Sequence, residues 1–339
     1  MALASLAAAP PTALLEVTDL SVKFPGRGGV VEAVGGISFT LAPGRVVCLL
    51  GESGSGKSVT LRAIVRLNHG ARTTGRVVLA GRNVLEMSRR ESRDSAGRAA
   101  MVFQEPMTAL DPVYPIGAQI EETVRRHRRV SRGDARRRAL ELLEVVQIPS
   151  PARCLAAYPH ELSGGMRQRV MIAIALACDP ALLLADEPTT ALDVTVQAQI
   201  LWLLRDLQRH LGLGLIIVTH DLGVAAEIAD DALVMYAGRI VEQTTVGRLF
   251  SQPVHPYTRG LMAATVRRGQ RGRALVAIPG APPNLAALPP GCAFAPRCEL
   301  AISECHSSRP DLLELENDHF TRCPVALSHG APVATAATG

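Results

Sequence analysis

The feature that most constrains the fold of this chain is a glycine-rich segment that directly follows a short apolar run. Residues 46–50 are all hydrophobic, which is typical of a strand buried in a parallel sheet. Residues 51–58 read GESGSGKS and match the pattern GxxxxGKS/T, and a helical pattern follows at 59–67. Glycines let successive backbone N–H groups surround an anion, and the helix N-terminus adds partial positive charge. The segment therefore predicts a binding site for a nucleoside triphosphate.

Two side chains of this loop have individual roles in the prediction. Lys57 is long enough to reach the terminal phosphates, and the Ser58 hydroxyl is a candidate ligand of Mg²⁺. Lysine occurs only at Lys23 and Lys57 in this arginine-rich chain, which argues against a chance glycine-rich turn. The predicted nucleotide-binding residues of the loop are Gly51, Glu52, Ser53, Gly54, Ser55, Gly56, Lys57 and Ser58.

Composition excludes several classes of protein. The chain has 339 residues, 47% of them hydrophobic and 20% charged, which fits a large α/β core with a smaller appendage. Its net charge of +5 is mild, and the densest basic cluster, at 125–129, lacks the interleaved aromatics of a nucleic-acid surface. No apolar run approaches the ~20 residues of a membrane helix. The alanine-rich start has no basic n-region and contains Pro10-Pro11, so we predict a disordered leader and a cytoplasmic chain.

Changes in composition along the chain predict its domains. Residues 1–13 form the disordered leader, and 14–250 form an α/β domain that begins with an antiparallel sheet. Within it, proline-punctuated helical patterns at about 105–165 predict a helical insertion. Residues 251–328 are rich in proline and cysteine and predict a separate, loosely built accessory domain. Residues 329–339 are predicted to be a disordered tail.

Polar side chains follow other strand-like runs of the predicted sheet. Because ligands bind beyond the carboxyl ends of parallel strands, these side chains should meet the phosphate loop. Asp186 is predicted to hold Mg²⁺, and Glu187 to orient the attacking water. His220 is predicted to sense the γ-phosphate, oriented by Asp221, and Gln104 to bind Mg²⁺ or water. The alternative for any one of them is an ordinary cap or core residue.

A second helix N-terminus suited to an anion lies at 163–165, where Ser-Gly-Gly opens a helical pattern. It contains no lysine, and a phosphate-loop domain has one phosphate site of its own. The segment therefore predicts a head-to-tail dimer in which it closes over the nucleotide of another molecule. An ordinary N-cap with flexible glycines is the alternative.

Taken in chain order, these motifs resemble the ATP-binding subunits of ABC transporters. The matching segments are GESGSGKS at 51–58, Gln104, LSGGMRQR at 162–169, LLLADEP at 182–188, and His220. The resemblance covers about residues 14–250. It implies a P-loop NTPase core, with a parallel sheet, an antiparallel β subdomain and a helical insertion, that binds ATP and Mg²⁺.

The resemblance also implies roles for individual residues. Glu187 becomes the catalytic base and His220 the switch histidine, and Gln104 is grouped with them. Asp193 would lie across the dimer interface, and Phe24 would contact the adenine. The residues implied to contact the γ-phosphate held by the partner are Ser163, Gly164 and Gly165.

Three further segments resemble the oligopeptide, dipeptide and nickel importers within that family: 104–112, 158–161 and 255–261. This resemblance implies that residues 105–119 face the coupling helix of a permease. It implies two membrane permease subunits, a second ATPase subunit that is usually a different chain, and an external solute-binding protein as an indirect partner. The chain would lie on the cytoplasmic face of the bacterial inner membrane, with no nucleic-acid partner.

Four cysteines crowd the C-terminal region, at Cys292, Cys298, Cys305 and Cys323. Their spacing lacks the tight pairs of a zinc site, and disulfides are disfavoured in a reducing cytoplasm. Four thiolates fit a 4Fe–4S cluster, and members of the importer subfamily carry a similar cysteine array that binds one. Zinc and free thiols remain open as alternatives.

The function predicted from the sequence is an ATP-hydrolysing subunit that powers import of oligopeptides or dipeptides through a permease. A nickel importer is the first alternative, since it shares the same motifs. A soluble ABC ATPase acting on nucleic acid or ribosomes, and an iron–sulfur sensor that uses ATP as a regulatory ligand, are the others. The solute depends on the permease and the binding protein, which are other chains.

Overall fold

A computed structural model of the chain describes residues 13–26, 29–88, 90–92, 97–105, 109–264, 277–316 and 318–329. The predicted leader and tail lie outside these ranges, apart from residues 13 and 329. None of the helices in the described ranges combines the length and the apolar composition that a membrane crossing requires.

The described strands form two sheets. They are β1 (Leu15–Gly26), β2 (Gly29–Leu41), β3 (Val46–Leu50), β4 (Arg72–Leu79), β5 (Arg82–Asn83), β6 (Ala99–Val102), β7 (Leu182–Asp186), β8 (Gly214–Thr219), β9 (Asp231–Tyr236), β10 (Arg239–Thr245), β11 (Leu313–Glu316) and β12 (His319–Thr321). The smaller sheet has the order β2-β1-β4-β5 with antiparallel pairing, which confirms the antiparallel sheet predicted at the start of the chain. The larger has the order β11-β12-β10-β9-β3-β8-β7-β6.

Five neighbouring strands of the larger sheet, in the spatial order β9-β3-β8-β7-β6, run parallel. Every residue of β3, β7 and β8 is buried, which explains why these strands are uninterrupted apolar runs in the sequence. Along β3, Val46, Cys48 and Leu50 join one hydrophobic cluster, while Val47 and Leu49 join the other. The strand that precedes the glycine-rich loop is therefore fixed between two packed layers.

Helices cover the larger sheet and build the predicted insertion. The described helices are α1 (Lys57–Ile64), α2 (Ile116–Arg128), α3 (Arg132–Val145), α4 (Pro151–Ala156), α5 (Gly164–Leu176), α6 (Val194–Leu211), α7 (Leu222–Ile228), α8 (Val246–Ser251), α9 (Pro256–Ala263), α10 (Ser303–Ser307) and α11 (Pro324–His329). Helices α2 to α5 pack on one another through buried side chains, including Ile120, Leu143 and Leu155. The α/β fold predicted from the sequence is confirmed.

The C-terminal region differs from the loosely built region that its proline content predicted. Strand β12 pairs with β10, with Glu242 opposite Thr321, and so extends the larger sheet beyond residue 250. Tyr257, Met262 and Phe294 are buried in the main hydrophobic cluster. Aromatic packing and strand pairing thus join this region to the core of the main domain. The domain boundaries at 250 and 328 stay predictions.

Candidate nucleotide site

The loop at 51–58 connects β3 to α1 and has a backbone that only glycine adopts easily. Gly51 has φ 150°, and a Cβ added there would collide with the carbonyl oxygen of Met235. Gly56 has φ 103°, and its Cβ would lie 2.6 Å from the carbonyl oxygen of Ala33. The backbone segments at Met235 and Ala33 thus pack closely against the loop. Only because Gly51 and Gly56 lack side chains can the loop backbone curve into a cradle there.

Lys57, at the start of α1, is buried under the loop. Its Nζ donates to the carbonyl oxygens of Gly51 and Glu52, both at 2.8 Å. Burial lowers the pKa of Lys57, while the neighbouring Glu187 and other acidic groups oppose that effect. The ammonium is therefore held inside the predicted phosphate cradle by the loop's own carbonyls.

The next residue, Ser58, is joined to the end of β7. Its hydroxyl donates to Asp186 Oδ1 at 2.6 Å. Asp186 is 1% exposed, and its Oδ2 has no hydrogen-bond partner within the described part of the chain; the Arg62 guanidinium lies 3.8 Å away. Burial raises the pKa of Asp186, an effect that a cation would reverse. A hydroxyl beside an unsatisfied carboxylate oxygen fits Mg²⁺, so Ser58 and Asp186 are the residues that would hold it.

Three strand ends meet at the Glu187 carboxylate. Gln104, after β6, donates its side-chain N–H to Glu187 Oε2 at 3.2 Å. His220, after β8, has its Nδ1 3.4 Å from the same oxygen, and Thr190 donates its hydroxyl to it at 2.9 Å. The sequence predicted that Gln104, Glu187 and His220 lie close together, and the structure brings them together. It carried no signal for Thr190, a loop threonine without a distinguishing pattern.

The backbone at Glu187 is also constrained. Its φ of 46° is left-handed, which is uncommon for a residue other than glycine, and its N–H donates to Val218 O at 3.0 Å. Such local strain persists where the surroundings hold it in place, and it clusters at functional sites. It directs the chain sharply away from β7 directly after Asp186.

The predicted partner-facing residues lie apart from this centre, at two helix starts. Ser163 is the N-cap of α5 and is exposed, and its hydroxyl accepts from the Met166 N–H at 3.4 Å. Asp193 is the N-cap of α6 and accepts from Thr195 and Val196. Gly164 and Gly165 begin α5 itself. Their predicted roles across an interface stay predictions.

Two other side chains have contacts that bear on the predictions. Phe24, predicted to contact adenine, lies in β1 and is partly buried. It packs against the hydrophobic cluster that includes Val47 and Leu49. Asp221, predicted to orient His220, instead caps α7, with its carboxylate accepting from the Gly223 N–H at 2.7 Å.

Sequence reasoning missed two residues that bind the loop from the C-terminal region. Glu52 donates its N–H to the Tyr257 hydroxyl at 2.8 Å and accepts from the Arg297 guanidinium at 2.8 and 3.1 Å. Tyr257 lies in the segment HPYTRGL at 255–261. That segment indicated the importer subfamily, but it indicated no role for its tyrosine. Arg297 lies between two cysteines and has no sequence signal.

The four late cysteines are buried or half-buried free thiols. Burial raises the pKa of Cys292 and Cys298, and that of Cys323 to about 11. Within the described ranges, no group of three or more His, Cys, Asp or Glu side chains is arranged to hold a metal ion. The arrangement therefore does not support the predicted 4Fe–4S cluster or its zinc alternative.

Comparison with known proteins decides the family. A model described as "ABC transporter" matches residues 34–190, and one for the C-terminal region of oligopeptide/dipeptide transporters matches 241–305. A probable peptide ABC transporter ATP-binding protein of Sinorhizobium fredii is 52% identical over 316 residues, which are 91% of this chain and 94% of that protein. This chain belongs to the ABC transporter family.

Other relatives and solved structures agree with this assignment. The oligopeptide transport ATP-binding protein OppD of Mycobacterium tuberculosis is 53% identical over 314 residues, and the match spans 91% of this chain but 51% of that protein. The structure of a dimeric, post-hydrolysis state of the ATP-binding cassette MJ0796, bound to ADP and Pi, has a TM-score of 0.62 and 28% identity. It covers 68% of this chain and 98% of that one. The chain thus has the fold of an ABC ATPase.

Proposed function

We propose that this chain is the ATP-hydrolysing subunit of an importer of oligopeptides or dipeptides. The observation that carries the proposal is the meeting of four strand ends, which places the Ser58–Asp186 pair and the Gln104–Glu187–His220 cluster beside one phosphate loop. The names of the relatives support peptides as the solute, and the match to the oligopeptide/dipeptide C-terminal region favours them over nickel.

In this proposal each group has one chemical task. Backbone N–H groups of the loop and Lys57 bind the phosphates, while Ser58 and Asp186 hold Mg²⁺, which shields the phosphate charge. The Glu187 carboxylate accepts the proton of the attacking water. His220 and Gln104 position the γ-phosphate and that water from the two flanking strand ends. Phe24 packs against adenine.

The proposed active unit contains a second ATPase subunit. Ser163, Gly164 and Gly165 of one subunit close over the γ-phosphate held by the loop of the other, and Asp193 lies at that interface. The exposed start of α5, with its partial positive charge, supports this arrangement. The dimeric structure of the related bacterial cassette MJ0796 also supports it. We propose that the second subunit is a different chain.

The proposed membrane partners are two permease subunits, supplied with solute by an external binding protein. Residues 105–119, of which 106–108 lie outside the described residues, are proposed to receive the permease coupling helix. Val113 and Tyr114 are 69% and 57% exposed there, an apolar surface suited to a partner. The subunit would then be peripheral on the cytoplasmic face of the bacterial inner membrane.

Two substitutions in the assembled transporter test the proposed chemistry. Lys57→Ala should abolish or severely weaken ATP binding, because the buried cation that neutralises the phosphates is lost. Glu187→Gln should retain binding, reduce turnover by about 100-fold or more, and accumulate the closed dimer, since the amide cannot accept a proton. Binding is measured by equilibrium titration, turnover by phosphate release, and dimerisation by light scattering.

Matched controls keep this experiment specific. Lys23→Ala removes the only other lysine, which forms an ion pair with Glu32 at 3.1 Å, and should bind ATP normally. Glu227→Gln changes an exposed carboxylate on α7 and should turn over normally. Substantial turnover by the Glu187→Gln complex would contradict the mechanism. Failure to copurify with hydrophobic permease subunits would favour the soluble ATPase.

The 4Fe–4S cluster stays a separate hypothesis with its own test. The backbone of Phe294 and Ala295 acts to lower the pKa of Cys292 against the effect of burial, and the same groups would stabilise a thiolate. Protein purified without oxygen is analysed for iron and acid-labile sulfide. Iron and sulfide at four per chain would establish the cluster, and their absence would leave four free thiols that serve packing.

A further inference from the structure

The second residue of the phosphate loop, Glu52, is held by the C-terminal region through both its backbone and its side chain. Its N–H donates to the hydroxyl of Tyr257, which lies 205 positions later. Its two carboxylate oxygens accept from the two terminal nitrogens of Arg297, 245 positions later. Such a two-point pair is among the strongest hydrogen-bonded arrangements in proteins and also fixes orientation.

Both partners of Glu52 are themselves fixed by packing. Tyr257 is fully buried, with its ring 4.5 Å from that of Tyr236 and 5.5 Å from that of Phe294. The Arg297 side chain is 6% exposed, its Nε donates to Pro279 O at 2.8 Å, and its guanidinium lies over the Tyr236 and Phe294 rings. Both side chains are held in place, so the C-terminal region constrains the position of Glu52.

The opposite side of the same loop residue is bound by the phosphate-binding lysine. Lys57 donates to the Glu52 carbonyl oxygen, while Tyr257 accepts from the Glu52 N–H. A displacement of Glu52 therefore moves two things together: the carbonyl oxygen that accepts from Lys57, and the first residues of the phosphate loop. Because affinity depends on how far a site is already ordered before the ligand arrives, this anchoring favours nucleotide binding.

Charge provides an independent reason for the contact. Glu52 lies beside the predicted phosphates, because Lys57 Nζ donates to its carbonyl oxygen at 2.8 Å. An uncompensated carboxylate there would repel a triphosphate. Arg297 forms an ion pair with it at 2.8 Å and cancels that charge.

We propose that Tyr257 and Arg297 are positioning residues for ATP, through which the C-terminal region sets the nucleotide affinity of the phosphate loop. The inference rests on the proposed function, since it assumes that the loop binds ATP. It assigns the C-terminal region a task inside the nucleotide site, in addition to any contact with partners.

Equilibrium binding of ATP to the purified full-length chain tests this inference. Arg297→Gln should raise the Kd about 10-fold or more, since charge-assisted hydrogen bonds are lost and the Glu52 charge is exposed. Tyr257→Phe should raise it several-fold, because the Glu52 N–H loses its acceptor. Adding Glu52→Gln to Arg297→Gln should recover part of the affinity by removing the repelling charge. The melting temperature of each variant is measured as well, because a purely structural role of Arg297 would change it in step with the affinity.

Arg322→Gln is the matched control. Arg322 is another arginine of the C-terminal region, half-buried where Arg297 is buried, but it donates to the carbonyl oxygens of Ile240 and Pro310 rather than to the loop. Its substitution should lower the melting temperature without changing the ATP Kd. Equal effects of Arg297→Gln and Arg322→Gln on Kd would overturn the inference, as would a normal Kd for Tyr257→Phe.

The test also separates this inference from the proposed function. If Lys57→Ala loses ATP binding while Arg297→Gln and Tyr257→Phe bind normally, only the positioning role fails. If Lys57→Ala binds ATP as the wild-type chain does, the proposed function fails. Should Arg297→Gln not fold, Tyr257→Phe alone still decides the question, because it removes one oxygen and keeps the ring packing.

Discussion

At the scale of single residues, His255 shows how a polar side chain can be kept neutral in the core. It is 2% exposed, and its Nδ1 accepts from the Tyr257 N–H at 3.1 Å as the N-cap of α9. Burial lowers its pKa to about 4, an effect that nearby Glu242 opposes and Arg259 reinforces. The neutral ring is therefore part of the native structure.

We predict that His255 makes the chain less stable as pH falls. The unfolded chain takes up the proton near pH 6.5 and the folded chain only near pH 4, so the unfolded state binds more protons between these values. The free energy of unfolding should drop by up to about 3 kcal/mol over that interval. Urea unfolding of the wild-type chain between pH 7 and pH 4.5 measures the slope.

His255→Asn is the control for this slope. Asparagine is a good N-cap and does not titrate, so the variant should keep the start of α9 and lose the part of the pH dependence that belongs to the imidazole. Identical slopes in the two chains would show that other groups determine the acid sensitivity.

At the scale of elements, the two glycines that begin α5 let it approach α6 closely. A Cβ added at Gly165 would lie 2.6 Å from Val196 Cγ1, whereas one at Gly164 would lie 3.3 Å from Leu192 Cδ2. The same glycines are predicted to contact the nucleotide of a partner. Packing alone thus requires a small residue at 165, independently of any ligand.

We predict that Gly165→Ala lowers the free energy of unfolding of the nucleotide-free chain by about 1–3 kcal/mol through overpacking. Adding Val196→Ala removes the clashing methyl groups and should recover most of that loss. Gly164→Ala is the control, since its nearest neighbour has only a few tenths of an ångström to move. Thermal or urea unfolding measures the stability of all three variants. A double variant that is no more stable than Gly165→Ala alone would disprove the packing explanation.

Individual elements were predicted well where packing or capping leaves a mark on the sequence. The run before Gly51 was predicted as a buried strand, and the runs before Asp186 and His220 as strands; strands covered on both faces carry no polar alternation. Helix α6 has capping residues at both ends that are visible in the sequence: Asp193 caps its start, and Gly212, at φ 65°, ends it. The helix after the phosphate loop begins two residues earlier than its apolar pattern indicated, since Lys57 and Ser58 are polar and do not contribute to an apolar pattern.

At the scale of the whole molecule, one buried carboxylate holds the C-terminal region to the main sheet. Glu242, fully buried in β10, accepts from the backbone N–H groups of Val254 and His255 and contacts His319 Nε2 of β12 at 2.8 Å. Two chain segments, residues 254–255 and β12, are therefore joined to β10 by the two oxygens of a single side chain.

We predict that Glu242→Ala lowers the free energy of unfolding by about 3 kcal/mol or more, because it leaves buried donors without an acceptor. Limited proteolysis should cut the variant first within the C-terminal region, and calorimetry should show a lower melting temperature. Glu304→Ala, at an exposed site on α10, is the control and should behave as the wild type. Uniform proteolysis throughout the chain would contradict a local anchoring role.

The whole-molecule arrangement was predictable only in part. Parallel strands carry their ends to one edge, so the meeting of Gln104, Glu187 and His220 followed from the sequence. The contacts of Glu52 with Tyr257 and Arg297 did not. They join polar residues more than 200 positions apart, and neither strand periodicity nor helix periodicity encodes such pairs.

The crowding around Glu187 Oε2 has a consequence for the timing of hydrolysis. A carboxylate oxygen has two lone pairs, yet Gln104, Thr190 and His220 all lie within 3.4 Å of this one. In the proposed mechanism, a water that binds this oxygen has to replace one of these three neighbours. Gln104, Thr190 and His220 follow three different strands, so a shift of any one of these segments would free a place for the water. Movement of the surrounding assembly would then control when bound ATP is hydrolysed.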